Sequence, residues 1–424
     1  MHYEKKKLKD CCVSISDGDH QPPPKTEAGV PFITISNIDN NNQLDFSDVM
    51  YVPEEYYNSL PTNKKATVGD ILYSVVGSFG KPVYISKDEK FVFQRHIAIL
   101  KPNADVDGKY LYYTMLNPMF FRMADKLAIG CAQRTITLDA LRNIVVDIPT
   151  IEKQRSITSI LKAIDSKIAV NNSINDNLQQ MVRTIYHYWF TQFDFPTEEN
   201  QPYRSSGGQM VWNSDLKREI PVGWSVIQLK DYISPMRGIS YNSAALGESG
   251  IPMINLASFN VDSTYKPSGI KTYSGMYKSD SVLHPYDLIM CNTQQTAIDP
   301  QKDIIGKTLL VPDIFDGDVV SSHHVTKLRT KNEAFKFYLH SEAQTPWFHQ
   351  YVTGFASGTN ILGLDINGIL NYQMPLPPQH LLERYAKILR TVESNINRML
   401  RENQKLTKAR NFLLPILMNG QATI

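Results

Sequence analysis

Residues of this chain recur, in order, 228 positions later. His96 matches His324 (324 − 96 = 228), Leu100 matches Leu328, and Tyr110 matches Tyr338. Pro118, Phe120, Gly130, Asn143 and Pro149 match Pro346, Phe348, Gly358, Asn371 and Pro377. Leu161, Ile168, Asn175 and Leu178 match Leu389, Ile396, Asn403 and Leu406, with no gap over the whole stretch. A unit present twice in one chain predicts tandem or pseudo-two-fold symmetry, and a partner that offers two sites.

Upstream the offset changes. Leu8-Lys9-Asp10 matches Leu229-Lys230-Asp231 and Val30-Pro31-Phe32-Ile33 matches Ile251-Pro252-Met253-Ile254, both at 221 (229 − 8 = 221). Asp70 matches Asp287 at 217, so the second copy is longer by 11 residues between Asp287 and His324 (228 − 217 = 11). The fronts diverge while the ends keep register, as two recognition surfaces on one frame would. A length of 424 residues allows each copy its own core.

Charge is nearly balanced: 44 basic against 42 acidic residues leave +2. That excludes a polybasic coat but leaves room for a local cationic surface. The four cysteines, Cys11, Cys12, Cys131 and Cys291, show no CxxC spacing and read as reduced thiols of a cytoplasmic protein. No apolar run has the length of a signal peptide core or a bilayer span.

The pattern predicts a mixed α/β (α+β) domain in each copy. Pro31–Ile38, Asp70–Val76, Phe91–Leu100 and Ile144–Ile148 read as strands, and Pro22-Pro23-Pro24 as an exposed loop. Tyr110–Lys126 reads as helix interrupted near Pro118. After each domain the period changes to alternating steps of three and four. Ile157, Leu161, Ile164, Ile168, Asn171, Asn175, Leu178, Val182, Ile185 and Trp189 form one seam. Tyr385, Leu389, Val392, Ile396, Met399, Asn403, Leu406, Arg410, Leu413 and Leu417 form the other. Two such helices, each about 60 Å long at 1.5 Å per residue, are expected to pair as an antiparallel coiled coil. Asn175 and Asn403, at matching seam positions, are expected to meet near its middle and fix its register.

The boundaries that follow are 1–149 for the first domain, 150–193 for its long helix, 194–218 for a Pro-, Ser-, Gly- and Asn-rich linker, 219–377 for the second domain and 378–420 for the second helix.

Enzyme motifs come close and fail. Asn117-Pro118-Met119-Phe120 lacks the second proline of the amino-methyltransferase turn, and its repeat is Thr345-Pro346-Trp347-Phe348, so helix packing is the better reading. Gly306-Lys307-Thr308 has Gln301 where a phosphate-binding loop needs glycine. His323-His324 has no acidic or cysteine partner at ligand spacing, and the first copy carries Arg95-His96 there. No constellation supplies nucleophile, base and oxyanion donors together. The chain reads as a binding protein without catalytic groups, metal or cofactor of its own.

Domain, long helix, domain, long helix resembles the specificity subunits of type I restriction–modification systems over almost the whole chain. Ile220-Pro221-Val222-Gly223-Trp224 is similar to the opening of a target-recognition domain in that family. Gly69-Asp70-Ile71-Leu72 with Val76-Gly77-Ser78-Phe79-Gly80-Lys81, and Pro375-Leu376-Pro377-Pro378 before the second helix, are similar to further family segments. There are departures: the first copy begins after its Ile-Pro-x-Gly-Trp, the second replaces the Gly-x-x-Gly-Lys segment with Met290–Gln295, and Gln379-His380 stands where a Glu-Gln is usual.

The resemblance implies that each domain reads one half of a split, asymmetric sequence in double-stranded DNA and that the helices set the gap. It implies two methyltransferase subunits carrying S-adenosylmethionine, and two restriction (translocating nuclease) subunits using ATP and Mg. Reading bases needs donors and acceptors at their edges. Candidates in the first domain are His20, Ser78, Lys81, Arg95, Gln133 and Arg134. In the second they are Asn292, Gln294, Gln295, Lys307, His323, Thr359 and Asn360. Gln133-Arg134 and Thr359-Asn360 rank first because each follows the repeated glycine, Gly130 or Gly358. The rival readings are a two-domain coiled-coil scaffold that binds protein or glycan, and a methyltransferase fused to its reader; the second lacks an S-adenosylmethionine site.

Overall fold

The computed structural model of the chain describes residues 3–18, 23–39, 42–130, 133–295 and 303–421. The chain divides into two units: Met1–Ala169 with Gln404–Ile424, and Val170–Asn403.

Unit 1 holds a four-stranded antiparallel sheet ordered Cys12–Asp17, Ile97–Pro102, Ile71–Ser74, Pro82–Tyr84. Its inner strands are uninterrupted apolar runs because both faces are covered: Ile71–Ser74 is buried throughout, as is Ile97–Leu100. A second sheet joins Met50–Val52, Val30–Ile33 and Val92–Phe93, and Glu4–Lys7 pairs with Val145–Ile148. Phe91–Leu100 is therefore not one strand. It breaks at a turn, and its two parts serve different sheets. The helical stretch breaks at Asn117, which ends Gly108–Leu116 and caps Pro118–Leu127 by accepting from Met119 N.

Unit 2 repeats the plan. Ile233–Arg237, Val325–Thr330, Leu288–Cys291 and Thr308–Leu310 form the matching four-stranded sheet. Lys271–Tyr273, Leu246–Ile254, Val319–Ser321 and Val282–Leu283 form the second sheet, and Ser225–Gln228 pairs with Gln373–Leu376. The repeat extends to single hydrogen bonds. Tyr110 donates its hydroxyl to the Asp147 carbonyl at 2.9 Å, and Tyr338 donates to the Pro375 carbonyl at 2.8 Å, both partners being 228 positions apart.

The long helices are Ile151–Tyr186 and Gln379–Met418, the first followed by a π turn at His187–Thr191. At 1.5 Å per residue they measure about 54 and 60 Å. Unit 1 contains the start of the first and the end of the second: Ile157, Leu161, Leu414, Leu417 and Met418 share a core with Tyr110, Phe120 and Ile148. Unit 2 contains the rest: Val182, Tyr186, Leu389 and Val392 share a core with Tyr338, Phe348 and Met374.

The two helices touch in each unit. Arg410 pairs with Asp165 at 3.0 Å in unit 1. In unit 2 Asn171 Nδ2 donates to Asn403 Oδ1 at 2.8 Å and to Glu402 at 2.9 Å, and Asn403 Nδ2 donates to Asn172 Oδ1 at 2.8 Å. Asn403 thus meets Asn171 and Asn172, one turn before Asn175. Asn171 and Asn175 lie on the same stripe, and a stripe does not fix the axial offset of two helices. Asn175 is buried, and its Oδ1 has no hydrogen-bond partner among the described residues.

The stretch 194–218, expected to be a linker, is packed. The Asp194 carboxylate accepts from Ser205 N and Oγ at 2.7 and 2.6 Å, Phe195 stacks between Tyr203 and Trp224, and Met210–Asn213 pairs with Arg218–Pro221. Its Pro, Gly and Asn residues make turns rather than slack. Among the described residues no helix is long and apolar enough to cross a membrane.

Candidate nucleic-acid interface

Each unit presents one tight turn held by the same set of backbone bonds. In unit 1 it is Gln94-Arg95-His96-Ile97, closed by Ile97 N to the Gln94 carbonyl at 3.0 Å. Val75 N donates to the His96 carbonyl at 2.9 Å and Gly18 N to the Ile97 carbonyl at 3.1 Å. In unit 2 the turn is Ser322-His323-His324-Val325, closed by Val325 N to Ser322 at 2.9 Å. Asn292 N donates to His324 and Gly238 N to Val325, each at 2.9 Å. Gly18 and Gly238 carry no side chain because there is no room: a Cβ would lie 2.0 Å from the Phe93 carbonyl oxygen, or 2.2 Å from that of Ser322. The two residues at the tip of each turn are thereby held on a closely packed backbone, Arg95 exposed and His96, His323 and His324 half-buried.

Other candidates distribute between free surface and internal structure. Ser78, Arg95, Gln133 and Gln295 are exposed. Arg95 makes no ion pair or side-chain hydrogen bond among the described residues. Thr359 and Asn360 are exposed tips after Gly358. Gly130 and Gly358 hold φ of 91° and 138°, and a Cβ at either would clash with a carbonyl oxygen, that of Gln133 or Ile361. His20 lies outside the described residues.

Four candidates are tied into the fold. Lys81 Nζ reaches the carbonyls of Ile38 and Asp39 at 3.3 Å. Arg134 pairs with the Asp125 carboxylate at 2.6 Å and donates to the Asp125 carbonyl as well. Gln294 is buried and accepts from Ile304 N and Ile305 N at 2.7 and 2.8 Å, bridging its strand to that loop. Asn292 is buried and donates to Thr326 Oγ1 at 2.8 Å. Lys307 is half-buried, and desolvation pulls its pKa below the ordinary lysine value.

His323 is half-buried, its ring 3.8 Å from that of His324 and 5.6 Å from that of Tyr241. Its Nδ1 is buried without a partner among the described residues. His324 shares a hydrogen with Thr293 Oγ1 at 2.7 Å. Burial lowers the His324 pKa, and His323, Arg237 and Lys271 lower it further. Arg237, Lys271 and Tyr241 were not among the sequence candidates. The signal for Arg237 was present, since it precedes Gly238 as Asp17 precedes Gly18.

Nothing in this geometry assembles a reaction centre. Among the described residues no three His, Cys, Asp or Glu side chains gather as a metal site. The arrangement is one α/β frame used twice, with different side chains around the matching turns.

The comparisons with known proteins place it more closely. The family described as "Type I restriction modification DNA specificity domain" matches residues 2–180. The HindI specificity subunit of Haemophilus influenzae is 23% identical over 92% of this chain and 94% of its own. The putative MjaX specificity subunit of Methanocaldococcus jannaschii is 22% identical over 100% of this chain and 94% of its own. In fold, the crystal structure of a type I restriction–modification S subunit from M. genitalium superposes with a TM-score of 0.52 at 14% identity, covering 99% of this chain and 96% of that one. Residues 2–180 thus match the model of that specificity domain, and the relatives that align with nearly the whole chain are specificity subunits of type I restriction enzymes.

Proposed function

We propose that this chain selects the DNA on which a type I restriction–modification complex acts, reading one half of a split, asymmetric sequence with each unit. The observation that carries this reading is the shared frame with unlike tips. The clamped turn, the Tyr110 and Tyr338 anchors and the positive-φ glycines recur in both units. Several outward residues do not: Arg95 stands where unit 2 has His323, and Gln133-Arg134 stands where it has Ile361-Leu362 at the same offset. A constant frame with variable tips is what two different half-sites require.

In this reading the long helices pair antiparallel as a coiled-coil spacer, and the Asn171, Asn172 and Asn403 amides hold its register. The spacer fixes the distance between half-sites, as the dimer geometry of two-fold readers fixes theirs at whole helical turns. Recognition domains 1–149 and 219–377 would carry the base contacts, with the exposed Ser78, Arg95, Gln133, Gln295, Thr359 and Asn360 foremost. Two methyltransferase subunits bringing S-adenosylmethionine, and two restriction subunits bringing ATP and Mg, would assemble on this chain. The names of the relatives, each a specificity subunit, support that assembly.

The test is methylation mapping by single-molecule sequencing in cells that express a cognate methyltransferase subunit with or without this chain. A two-part methyladenine motif that appears only with the chain is the expected result. Soluble, associated proteins with no chain-dependent motif would refute the reading in favour of a scaffold.

A further inference from the structure

The tip of the unit 2 turn is surrounded by cations. Arg237 ends its strand beside the turn and donates Nε to the His323 carbonyl at 2.9 Å, leaving the rest of its guanidinium uncommitted among the described residues. Arg237 and Lys271 are both exposed. Lys271 opens the strand Lys271–Tyr273 and has no acidic partner among the described residues. The charged groups acting on His324 are His323, Arg237 and Lys271, with no carboxylate among them. Surface cations ordinarily sit among acids in a protein of balanced charge, as Lys90 does with Glu54 and Arg204 with Glu219.

The first unit shows that the frame does not demand this. Its turn has the same closing bond and the same glycine clamp, yet Asp17 holds the place of Arg237, so the turn there lacks the second cation. The charge around His323 is therefore a property of the tip, not of the fold. The backbone under it cannot yield, because Gly238 is packed against the carbonyls of Ser321 and Ser322.

We infer that Arg237, Lys271 and the His323-His324 turn form a binding site for one DNA backbone phosphate, which positions unit 2 on the duplex without reading sequence. The inference rests on the DNA-reading function proposed above. A guanidinium bonded to a tight turn suits a phosphate oxygen pair, and Lys271 lies on the same sheet as the strand that leads into that turn, paired with Met253, which pairs with Val320. Contacts of this kind set register, while base-edge contacts elsewhere set specificity.

The experiment is salt-dependent binding of the full chain to a mixed-sequence duplex, followed by fluorescence anisotropy. Arg237→Gln should reduce the magnitude of the slope of log K against log salt by about 0.9, the value for one lost phosphate contact. Affinity should fall several-fold at low salt, equally for duplexes of unrelated sequence. Arg237→Lys should retain most of the slope. Because Arg237 also bonds the turn, Lys271→Gln serves as a second variant, and tryptophan fluorescence melts establish that both variants are folded. An unchanged slope in both folded variants overturns the site. A loss confined to particular sequences overturns it in favour of a base contact. Failure of the unaltered chain to bind any duplex would remove the proposed function itself, and the site with it.

Discussion

Glu342 in unit 2 and Thr114 in unit 1 occupy one position of the repeat, and their surroundings differ as a set. Glu342 is buried and accepts from Tyr186 Oη, from Tyr372 Oη at 2.5 Å and from Trp347 Nε1 at 3.0 Å. The residues matching those donors in unit 1 are Leu414, Ile144 and Met119, all apolar, and Thr114 merely returns its hydroxyl to the Tyr110 carbonyl at 2.9 Å. The long helices show the opposite exchange. Asp165 in unit 1 binds Arg410 and Tyr113, at 3.0 and 2.6 Å. Glu393 is its match in unit 2, where Val182 and Ser341 stand at the positions of Arg410 and Tyr113, and Glu393 has no ion pair or hydrogen bond among the described residues. A buried polar group costs stability unless it is hydrogen-bonded, so Glu342 and Asp165 each come with their donors, whereas Glu393 has lost them and meets the cost by a raised pKa.

The largest test of that contrast is Glu342→Leu. It strands two buried hydroxyls and an indole N–H, and should destabilise unit 2 by about 3 kcal/mol or more, at about 1–3 kcal/mol per unsatisfied group. Adding Tyr186→Phe and Tyr372→Phe should recover at least half of the loss, because the stranded hydroxyls are then gone. All four tryptophans (Trp189, Trp212, Trp224 and Trp347) lie in unit 2, so urea unfolding followed by tryptophan fluorescence reads this unit alone. No recovery in the triple variant would mean that the network is not what holds the core.

A second test separates two buried titrations of opposite sign. His340, bonded to Thr308 and Gln344, is pushed from 6.5 down to about 4 by burial, with the positive charge of Arg183 adding to it. Its neutral form is the folded one, so its contribution is complete above pH 6.5 and is lost as pH falls through about 4. Over that window the loss is roughly 3 kcal/mol. Burial pushes Glu393 from 4.5 up to about 7. Its contribution is complete below pH 4.5 and is lost as pH rises through about 7, with a smaller magnitude because the side chain keeps some contact with water. The two oppose each other in the unaltered chain. Glu393→Gln should expose an acid-labile unit 2, and His340→Gln one that gains stability on acidification. Parallel slopes in the two variants would break the assignment. Tyr112, which matches His340 in unit 1, is pushed up to about 12 and leaves unit 1 without this response.

The smallest effect belongs to Arg134→Ala. Its ion pair with Asp125 is exposed, so the stability cost to unit 1 should be less than about 1 kcal/mol. If Arg134 reads DNA, recognition of one half-site alone relaxes, which methylation mapping resolves. Equal loss at both halves would show that the pair serves the fold.

Much of the frame was legible because identical residues do identical work. Tyr110 and Tyr338, Gly130 and Gly358, and His96 and His324 were all visible as matched positions, although the turn that carries His96 was hidden inside the expected strand Phe91–Leu100. What the pattern hid was relational. The stripe through Asn171 and Asn175 did not say which amide meets Asn403. The composition of 194–218 matched a linker, because turns and slack chain use the same residues. Asn292 and Gln294 looked like base readers because amides serve loops and DNA through the same donors, and only the partners Thr326 and Ile304 N distinguish the two. Arg237 escaped notice since it stands at a strand end rather than among the matched segments.

Leu414, Leu417 and Met418 complete the core of unit 1, although the whole of Val170–Asn403 stands between them and the rest of that unit. The domain synthesised first cannot complete its core until the second has been made. A nonsense codon just before Leu414 would therefore spare the core of unit 2 and damage that of unit 1. Any genetic exchange that imports a new first domain must also suit the final helical turns of the recipient.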